Sequence, residues 1–159
     1  MSLPKKPFLR RKVASNWDAK LDVYSRTDSP GPHPTVIFIH GGGWTGGTKE
    51  GVALNLLPYL EMGWNAVNVE YRLARVSLAP AAVEDCLCAL RWVIHNAKEY
   101  GFDTGKLVVT GNSAGGHLAL TTAMIPASAG LDRPCPGNEY SEGRSRCELV
   151  WHFGRGRPS

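Results

Sequence analysis

A serine flanked by small residues lies in the middle of the chain, in the segment GNSAG at 111–115. A short apolar stretch precedes it, and a segment typical of a helix follows it. This G-x-S-x-G spacing is typical of a nucleophile elbow, a sharp strand-to-helix turn that holds Ser113 in a strained conformation. We expect Gly111 and Gly115 to be glycines because neighbouring backbone passes so close that no side chain would fit. The motif predicts a nucleophilic hydroxyl beside the Ala114 N–H, although a plain turn is the alternative.

A second candidate element is the HGGGW run at 40–44, which follows the apolar stretch 35–39. Such a stretch is typical of a parallel strand that is buried on both faces. The glycines permit positive φ and let bare N–H groups approach a ligand. We interpret the loop as half of an oxyanion hole, with a flexible glycine loop as the alternative. His40 is interpreted as an orienting loop histidine, and Trp44 as a residue that packs the loop against the body.

Composition and charge argue against several other functions. The chain has 159 residues, which favours one domain, and its net charge of +4 comes from basic residues in the first dozen and the last sixteen positions. We therefore expect no nucleic-acid partner. No apolar run reaches transmembrane length, and no phosphate loop or Cys/His metal motif is present, so we expect no membrane span, cofactor or metal.

The N-terminus begins with basic residues but has no apolar stretch after them, so the chain shows no signal peptide. The default prediction is a cytoplasmic protein, or a secreted or periplasmic one if the true N-terminus is missing. The four cysteines predict no disulfide framework. Cys86 and Cys88 point to different faces of a predicted helix, and Cys135 and Cys147 are the pair that could form a bridge.

The elements that must position these motifs alternate between strand and helix. Apolar and alternating patterns predict strands over 21–26, 35–40, 64–72 and 107–110. Helical spacing predicts helices over 48–62 with a kink at Pro58, over 81–100, and from 115 to about 125. We interpret Glu84 and Asp85 as first-turn acids favoured by the helix dipole, and His95 as a solvated residue. The alternation predicts an α/β fold with a mostly parallel sheet.

Four segments make the chain resemble the carboxylesterases of the α/β-hydrolase fold. They are HGGGW at 40–44, NAVNVEYRLA at 65–74, VEDCLCALRWV at 83–93 and GNSAGGHLAL at 111–120. Within that fold the chain is similar to the hormone-sensitive-lipase-like enzymes and to the related acetyl-xylan and feruloyl esterases. The resemblance covers roughly residues 20 to 130, with both motifs in the expected order and setting.

The resemblance implies a serine carboxylic-ester hydrolase that acts on a small-molecule ester through an acyl-enzyme and needs no cofactor. Ser113 would be the nucleophile, and the N–H groups of Gly42, Gly43 and Ala114 would form the oxyanion hole. The residues that would support these motifs are His40, Gly41, Trp44, Gly111, Asn112 and Gly115. Asn112 stands where such families often have histidine, aspartate or glutamate. A peptidase or thioesterase of the same fold is a further alternative.

The same resemblance implies a catalytic acid and then a histidine after Ser113, on loops that follow later strands. The formal candidates for the acid are Asp132, Glu139, Glu142 and Glu148, and the candidate base is His152. None of them follows an apolar strand, and the interval before His152 is too short for the strands that the fold needs. His117, one turn beyond the nucleophile, is interpreted as a packed helix residue. We therefore identify neither the catalytic acid nor the catalytic histidine.

These considerations predict an incomplete α/β-hydrolase that has helices on both faces of its sheet and lacks the C-terminal strands. We divide the chain into a basic flexible arm (1–16), the N-terminal part of the hydrolase domain (17–130) and an irregular tail (131–159). Our hypothesis is that the tail after about residue 142 is read out of frame. A catalytically inactive fragment is the alternative function, and the strand before the elbow would be an exposed edge through which copies associate.

Overall fold

A computed structural model describes residues 19–25, 29, 31–133 and 135 of the chain. The predicted arm and most of the predicted tail lie outside these residues, and so do Glu139, Glu142, Glu148 and His152. The described residues form a mixed sheet with helices packed against it.

The sheet has four strands in the spatial order β1-β3-β2-β4. The strands are β1 (Leu21–Tyr24), β2 (His33–Ile39), β3 (Asn65–Val69) and β4 (Phe102–Gly111). β2 runs parallel to both β3 and β4, whereas β1 is an antiparallel edge strand beside β3. The mostly parallel sheet is therefore confirmed, with β1 as its antiparallel member.

Helices cover both faces of this sheet, as predicted. They are a 3₁₀ helix (Glu50–Leu56), α1 (Leu57–Glu61), α2 (Ala81–His95), α3 (Ala97–Tyr100) and α4 (Ala114–Met124). Successive residues of a strand point to opposite faces. Ile37 and Ile39 of β2 share a core with α2 and α4, whereas Val36 and Phe38 pack with the 3₁₀ helix and α1.

Two predicted helices are divided. In the first, Pro58 lies at the start of α1 instead of kinking a continuous helix, because a proline N–H is not needed in a first turn. In the second, α2 ends at His95, and the Asn96 side chain donates a hydrogen bond to the Trp92 carbonyl at 2.8 Å. An asparagine that bonds to nearby backbone competes with helix continuation. His95 is exposed, as predicted.

Two predicted strands have different limits. The strand predicted over 64–72 is shorter, and all five residues of β3 are buried instead of alternating, because the sheet is covered on both faces. β4 begins at Phe102, five residues before the predicted start. Its neighbour on one side is β2, and within the described residues no strand pairs with its other side. No helix of the described part has the length and hydrophobicity needed to cross a membrane.

The prediction about the cysteines is wrong. Cys88 on α2 forms a disulfide with Cys135, which joins positions 47 residues apart. Sequence spacing did not reveal this pair because only the fold brings the segment after α4 back to α2. Cys86 is buried as a free thiol, and burial raises its pKa, so it stays protonated. Cys147 lies outside the described residues.

Candidate active site

The turn between β4 and α4 holds Ser113 in an unusual backbone conformation. Its φ is 52° and its ψ is −119°, a backbone conformation that residues other than glycine rarely adopt. The Ser113 carbonyl accepts hydrogen bonds from the N–H groups of Gly116 at 2.9 Å and His117 at 3.2 Å. The turn therefore passes directly into the helix, with Ser113 exposed at its start. The strained conformation that the motif predicts is present.

Glycine is required on both sides of this serine. A Cβ at Gly111 would lie 2.3 Å from the Ile39 carbonyl oxygen, at the end of β2. A Cβ at Gly115 would lie 2.0 Å from the same oxygen and 2.6 Å from the His40 carbonyl oxygen. The first turn of α4 therefore lies directly on the end of β2, and the sequence correctly predicted that this contact excludes side chains.

The HGGGW loop is a tight turn that leaves several N–H groups without an acceptor. Gly42 has a φ of 122°, and both Gly43 and Trp44 have a φ of 60°. The Gly42 carbonyl accepts hydrogen bonds from the N–H groups of Thr45 and Gly46. Within the described part of the chain, the N–H groups of Gly42, Gly43 and Ala114 donate to no acceptor.

The loop and the elbow leave the sheet side by side. Ile39, the last residue of β2, is the register partner of Gly111, the last residue of β4. The Gly41 N–H donates to the Asn112 Oδ1 at 3.0 Å, and a Cβ at Gly41 would lie 2.6 Å from the Asn112 carbonyl oxygen. Asn112 thus ties the two motifs together at the carboxyl ends of two neighbouring parallel strands, where ligands bind in open α/β sheets.

His40 is buried beneath the loop. Its Nδ1 donates to the Gly41 carbonyl oxygen at 2.8 Å, and its ring stacks on Tyr71 with 4.3 Å between centroids. The Tyr71 hydroxyl donates to the His40 carbonyl oxygen at 3.2 Å. Burial, with smaller effects of Cys86 and Glu70, raises the pKa of Tyr71 to about 12, so this hydroxyl remains a donor. This position fits an orienting loop histidine.

The segment after β3 contacts the loop and is itself anchored to α2 by a buried ion pair. Arg72 Nε contacts both Asp85 carboxylate oxygens at 3.0 and 2.9 Å, and the Arg72 backbone N–H donates to the same carboxylate at 2.8 Å. A second contact, 3.1 Å long, joins Arg72 to Glu84. Burial raises the pKa of Asp85, although Arg72 opposes this shift. Downstream, the Ala74 N–H donates to the Trp44 carbonyl at 2.8 Å.

The ion pair between Arg72 and Asp85 was not predicted from the sequence. The interpretation of Asp85 as a first-turn acid is wrong: Glu84 is the acid in the first turn of α2, whereas Asp85 is the next residue and is buried and bound to Arg72. In the sequence, a carboxylate near the start of a helix is explained equally well by the helix dipole or by a buried ion pair, and the burial of Asp85 separates the two explanations. The apolar face of the predicted helix passes next to this residue, at Cys86, and was the available signal.

Trp44 and His117 meet above the elbow. Their rings lie edge to face with 5.4 Å between centroids. His117 is exposed, so its packing is limited to this contact with Trp44. Trp44 contacts His117 but is itself 42% exposed, so it packs against the body with only part of its ring.

Of the candidate acids, Asp132 is the one within the described residues. It is buried and forms an ion pair with Arg91 of α2, with a distance of 2.9 Å from Arg91 Nε. The adjoining Cys135 N–H donates to the Asp132 carbonyl oxygen. Together with the disulfide, the ion pair of Asp132 attaches this segment to α2.

Comparisons with known proteins agree with this geometry. The family model BD-FAE matches residues 21–151. "Probable carboxylic ester hydrolase LipM" of Mycobacterium tuberculosis is 39% identical over 135 residues, which are 83% of this chain and 31% of LipM. Human "Hormone-sensitive lipase" is 29% identical over 77% of this chain and 12% of its own length.

A solved structure, the thermophilic esterase Est2 of Thermogutta terrifontis, superposes with a TM-score of 0.71 at 32% identity. The match covers 87% of this chain and 47% of Est2, so the chain spans less than half of each of these three relatives. The family model, by contrast, covers most of the chain. The chain therefore belongs to the BD-FAE family, among the carboxylesterases of the α/β-hydrolase fold.

Proposed function

We propose that the protein is a serine carboxylic-ester hydrolase in which Ser113 is the nucleophile. The observation that carries this proposal is the conformation of Ser113, held at positive φ between two glycines that have no room for a Cβ. Backbone strain of this kind is retained where the surrounding structure enforces it, and it is concentrated at functional sites. Here the result is an exposed hydroxyl at the edge of the sheet.

The reaction would begin when the Ser113 Oγ attacks the carbonyl carbon of an ester. The carbonyl oxygen then becomes negatively charged, and the N–H groups of Gly42, Gly43 and Ala114 would donate hydrogen bonds to it. Collapse of this intermediate expels the alcohol and leaves an acyl-enzyme, which water hydrolyses to the acid and free Ser113. Such preorganised donors reduce the barrier because they need no reorientation as charge develops.

The supporting residues have a positioning role in this proposal. Asn112 holds the Gly41 N–H, and His40 and Tyr71 support the loop from beneath. The hydroxyl proton of Ser113 must pass to a base, and we assign no residue of the described part to the catalytic acid or base. Asp132 is excluded from the acid role in this proposal because Arg91 already binds its carboxylate.

The test uses the full chain and two serine variants. We expect a fluorophosphonate to label the wild type at Ser113, and p-nitrophenyl butyrate to be hydrolysed. Ser113→Ala should abolish labelling and reduce kcat/KM by at least about 1,000-fold, since a nucleophile cannot be replaced by the remaining groups. Ser128→Ala, a change at an exposed serine of the turn after α4, is the matched control.

The outcomes separate the alternatives. Labelling without turnover would favour the inactive-fragment alternative, in which the nucleophile is formed but the acid and base are missing. Equal activity of the wild type and the Ser113→Ala variant would contradict the proposal. Thioester and peptide substrates in the same assay decide between an esterase and the other acyl-transfer enzymes of this fold.

We also propose that copies of the chain associate through the outer side of β4. Its backbone groups have no partner strand there among the described residues, and such an edge pairs readily with another strand. Sedimentation velocity over a range of concentrations tests this proposal. A monomer at every concentration would contradict it.

A further inference from the structure

The HGGGW motif opens the loop 40–49, which joins β2 to the 3₁₀ helix. The first part of this loop after Gly41, residues 42–45, is exposed, whereas His40 and Lys49 at its two ends are buried. An exposed segment rich in glycine has few side-chain contacts of its own to hold it in one conformation. The positions of the proposed oxyanion donors in this loop therefore depend on how its two ends are anchored.

The last residue of the loop is bound by two side chains at the end of β3. The Lys49 backbone N–H donates to Glu70 Oε2 at 2.8 Å, and Asn68 Nδ2 donates to the Lys49 carbonyl oxygen at 2.7 Å. Asn68 and Glu70 are two residues apart, so their side chains point to the same face of the sheet. Both backbone polar groups of Lys49 are thus held by side chains.

The Lys49 ammonium group takes no part in this anchor. Its Nζ lies 2.7 Å from Asp22 Oδ2 and 2.6 Å from Glu50 Oε1. Glu70 therefore holds the backbone of this lysine, whereas Asp22 holds the side chain. The side chains of Asp22 and Glu70 are 25% and 19% exposed, so the two carboxylates are otherwise well matched.

The other oxygen of Glu70 faces the first residue of the loop. Glu70 Oε1 lies 3.8 Å from His40 Nε2, which is longer than a hydrogen bond but close enough for an electrostatic contact. His40 Nδ1 is already bonded to the Gly41 carbonyl oxygen. Nε2 is buried and makes no hydrogen bond within the described residues. One carboxylate therefore lies against both ends of the loop.

The two limbs of the loop, before and after its exposed middle, pack against each other. A Cβ at Gly47 would overlap the Gly41 carbonyl oxygen and would lie 2.8 Å from His40 Nδ1. The Gly46 N–H donates to the Gly42 carbonyl oxygen at 2.9 Å. A displacement of the second limb is therefore passed to the glycines of the HGGGW motif by direct contact.

We propose that Glu70 is a positioning residue for the oxyanion donors. Its two carboxylate oxygens join the first and last residues of the loop, His40 and Lys49, and this fixes the directions of the Gly42 and Gly43 N–H groups between them. The inference rests on the proposed function for its meaning in catalysis, since Glu70 acts through the loop and not on the substrate.

The experiment measures the loop and the serine separately in the full chain. NMR follows the backbone amide signals of Gly42 and Gly43, and the rate of fluorophosphonate labelling reports the reactivity of Ser113. Glu70→Ala should shift both amide signals. It should also slow labelling at least about tenfold, because a hydrogen bond from a backbone N–H to a carboxylate is one of the stronger kinds.

Asp22→Ala is the matched control. It removes a carboxylate of similar exposure from the same lysine but leaves the bond between the Lys49 N–H and Glu70 in place. The glycine signals should stay where they are, and the labelling rate should stay within about twofold of the wild type, as expected for a partly exposed ion pair. The proposal would be overturned if Glu70→Ala and Asp22→Ala behaved alike in both measurements.

Two further variants separate positioning from a purely structural role. Glu70→Gln keeps the side-chain length and an oxygen for the Lys49 N–H, so it should label faster than Glu70→Ala. Glu70→Asp keeps the charge but is one CH₂ shorter, so it should label as slowly as Glu70→Ala. A residue that only stabilised the fold would change the urea midpoint and leave the labelling rate of the folded protein unchanged.

The comparison of Glu70→Gln with Glu70→Asp decides the result if Glu70→Ala does not fold. Equal labelling rates for these two variants, or an altered urea midpoint with wild-type labelling, would overturn the proposal. Failure of the proposed function is distinct, because Ser113 of the wild type would then resist the fluorophosphonate. The Gly42 and Gly43 signals would still show whether Glu70 holds the loop.

Discussion

The proposed catalytic edge and the adjoining surface of α2 are stabilised in different ways. At the edge, backbone packs against backbone: Gly111 and Gly115 lie against the end of β2, and the loop N–H groups are left free. Around α2, the contacts are between side chains that are distant in sequence. They comprise the Arg72–Asp85 pair, the Arg91–Asp132 pair and the Cys88–Cys135 disulfide.

The difference has a physical reason. A site that stabilises developing charge needs fixed N–H groups, and close backbone packing fixes them without using side chains that would occupy the site. Around α2, long side chains make the contacts and join segments that are distant in sequence. Effects of substitution at α2 should therefore be losses of stability, whereas those at the edge should combine smaller stability losses with loss of Ser113 reactivity.

The largest loss of stability is expected when the Cys88–Cys135 disulfide is removed. A bridge across 47 residues restricts the unfolded chain and contributes about 4 kcal/mol in the chain-entropy model. Cys88→Ser should reduce the free energy of unfolding by about this amount in urea titrations. Reduction of the wild type should have the same effect, and a reductant should change nothing further in Cys88→Ser. An unchanged urea midpoint on reduction would contradict the role of this bridge.

The next loss is expected at the buried ion pair. Asp85→Asn removes the buried carboxylate that compensates the Arg72 charge, and breaking a buried pair in this way costs about 3 kcal/mol. Glu84→Gln is the matched control and should cost less than about 1 kcal/mol, because the Asp85 partner remains. Urea unfolding measures both variants. Equal losses would show that burial does not distinguish the two carboxylates.

The same contrast explains what could be predicted from sequence. The elbow was predictable because the requirement for glycine at Gly111 and Gly115 arises within a few residues of Ser113. The mostly parallel sheet was predictable because predicted strands and helices alternate along the chain and β2 is an almost continuous apolar run. The partners of Asp85 and Cys88 were not predictable, since a carboxylate or thiol pattern is compatible with several partners until the fold selects one. The exposure of His117 was not predictable either, because it depends on which segments of the fold pack against α4.

A smaller loss of stability is expected at the edge itself. Gly115→Ala places a Cβ 2.0 Å from the Ile39 carbonyl oxygen, and relief of that overlap should cost about 2 kcal/mol. It should also abolish fluorophosphonate labelling, because α4 must move away from β2. The neighbouring Gly116→Ala is the control: its Cβ would lie 3.3 Å from the nearest oxygen, and stability should change by less than about 1 kcal/mol. Retained labelling in Gly115→Ala would contradict the close-packing argument.

The smallest loss is expected at Asn112, where the edge uses a side chain after all. Asn112→Ala removes the acceptor of the Gly41 N–H and should reduce stability by about 1 kcal/mol, the usual net value of such a bond. The labelling rate of Ser113 should fall further than this loss implies, because the bond holds the oxyanion loop against the elbow. Asn112→Asp keeps an acceptor oxygen and should retain most of the rate. If both variants label equally slowly, the amide group itself is required; if both match the wild type, backbone packing alone positions the loop.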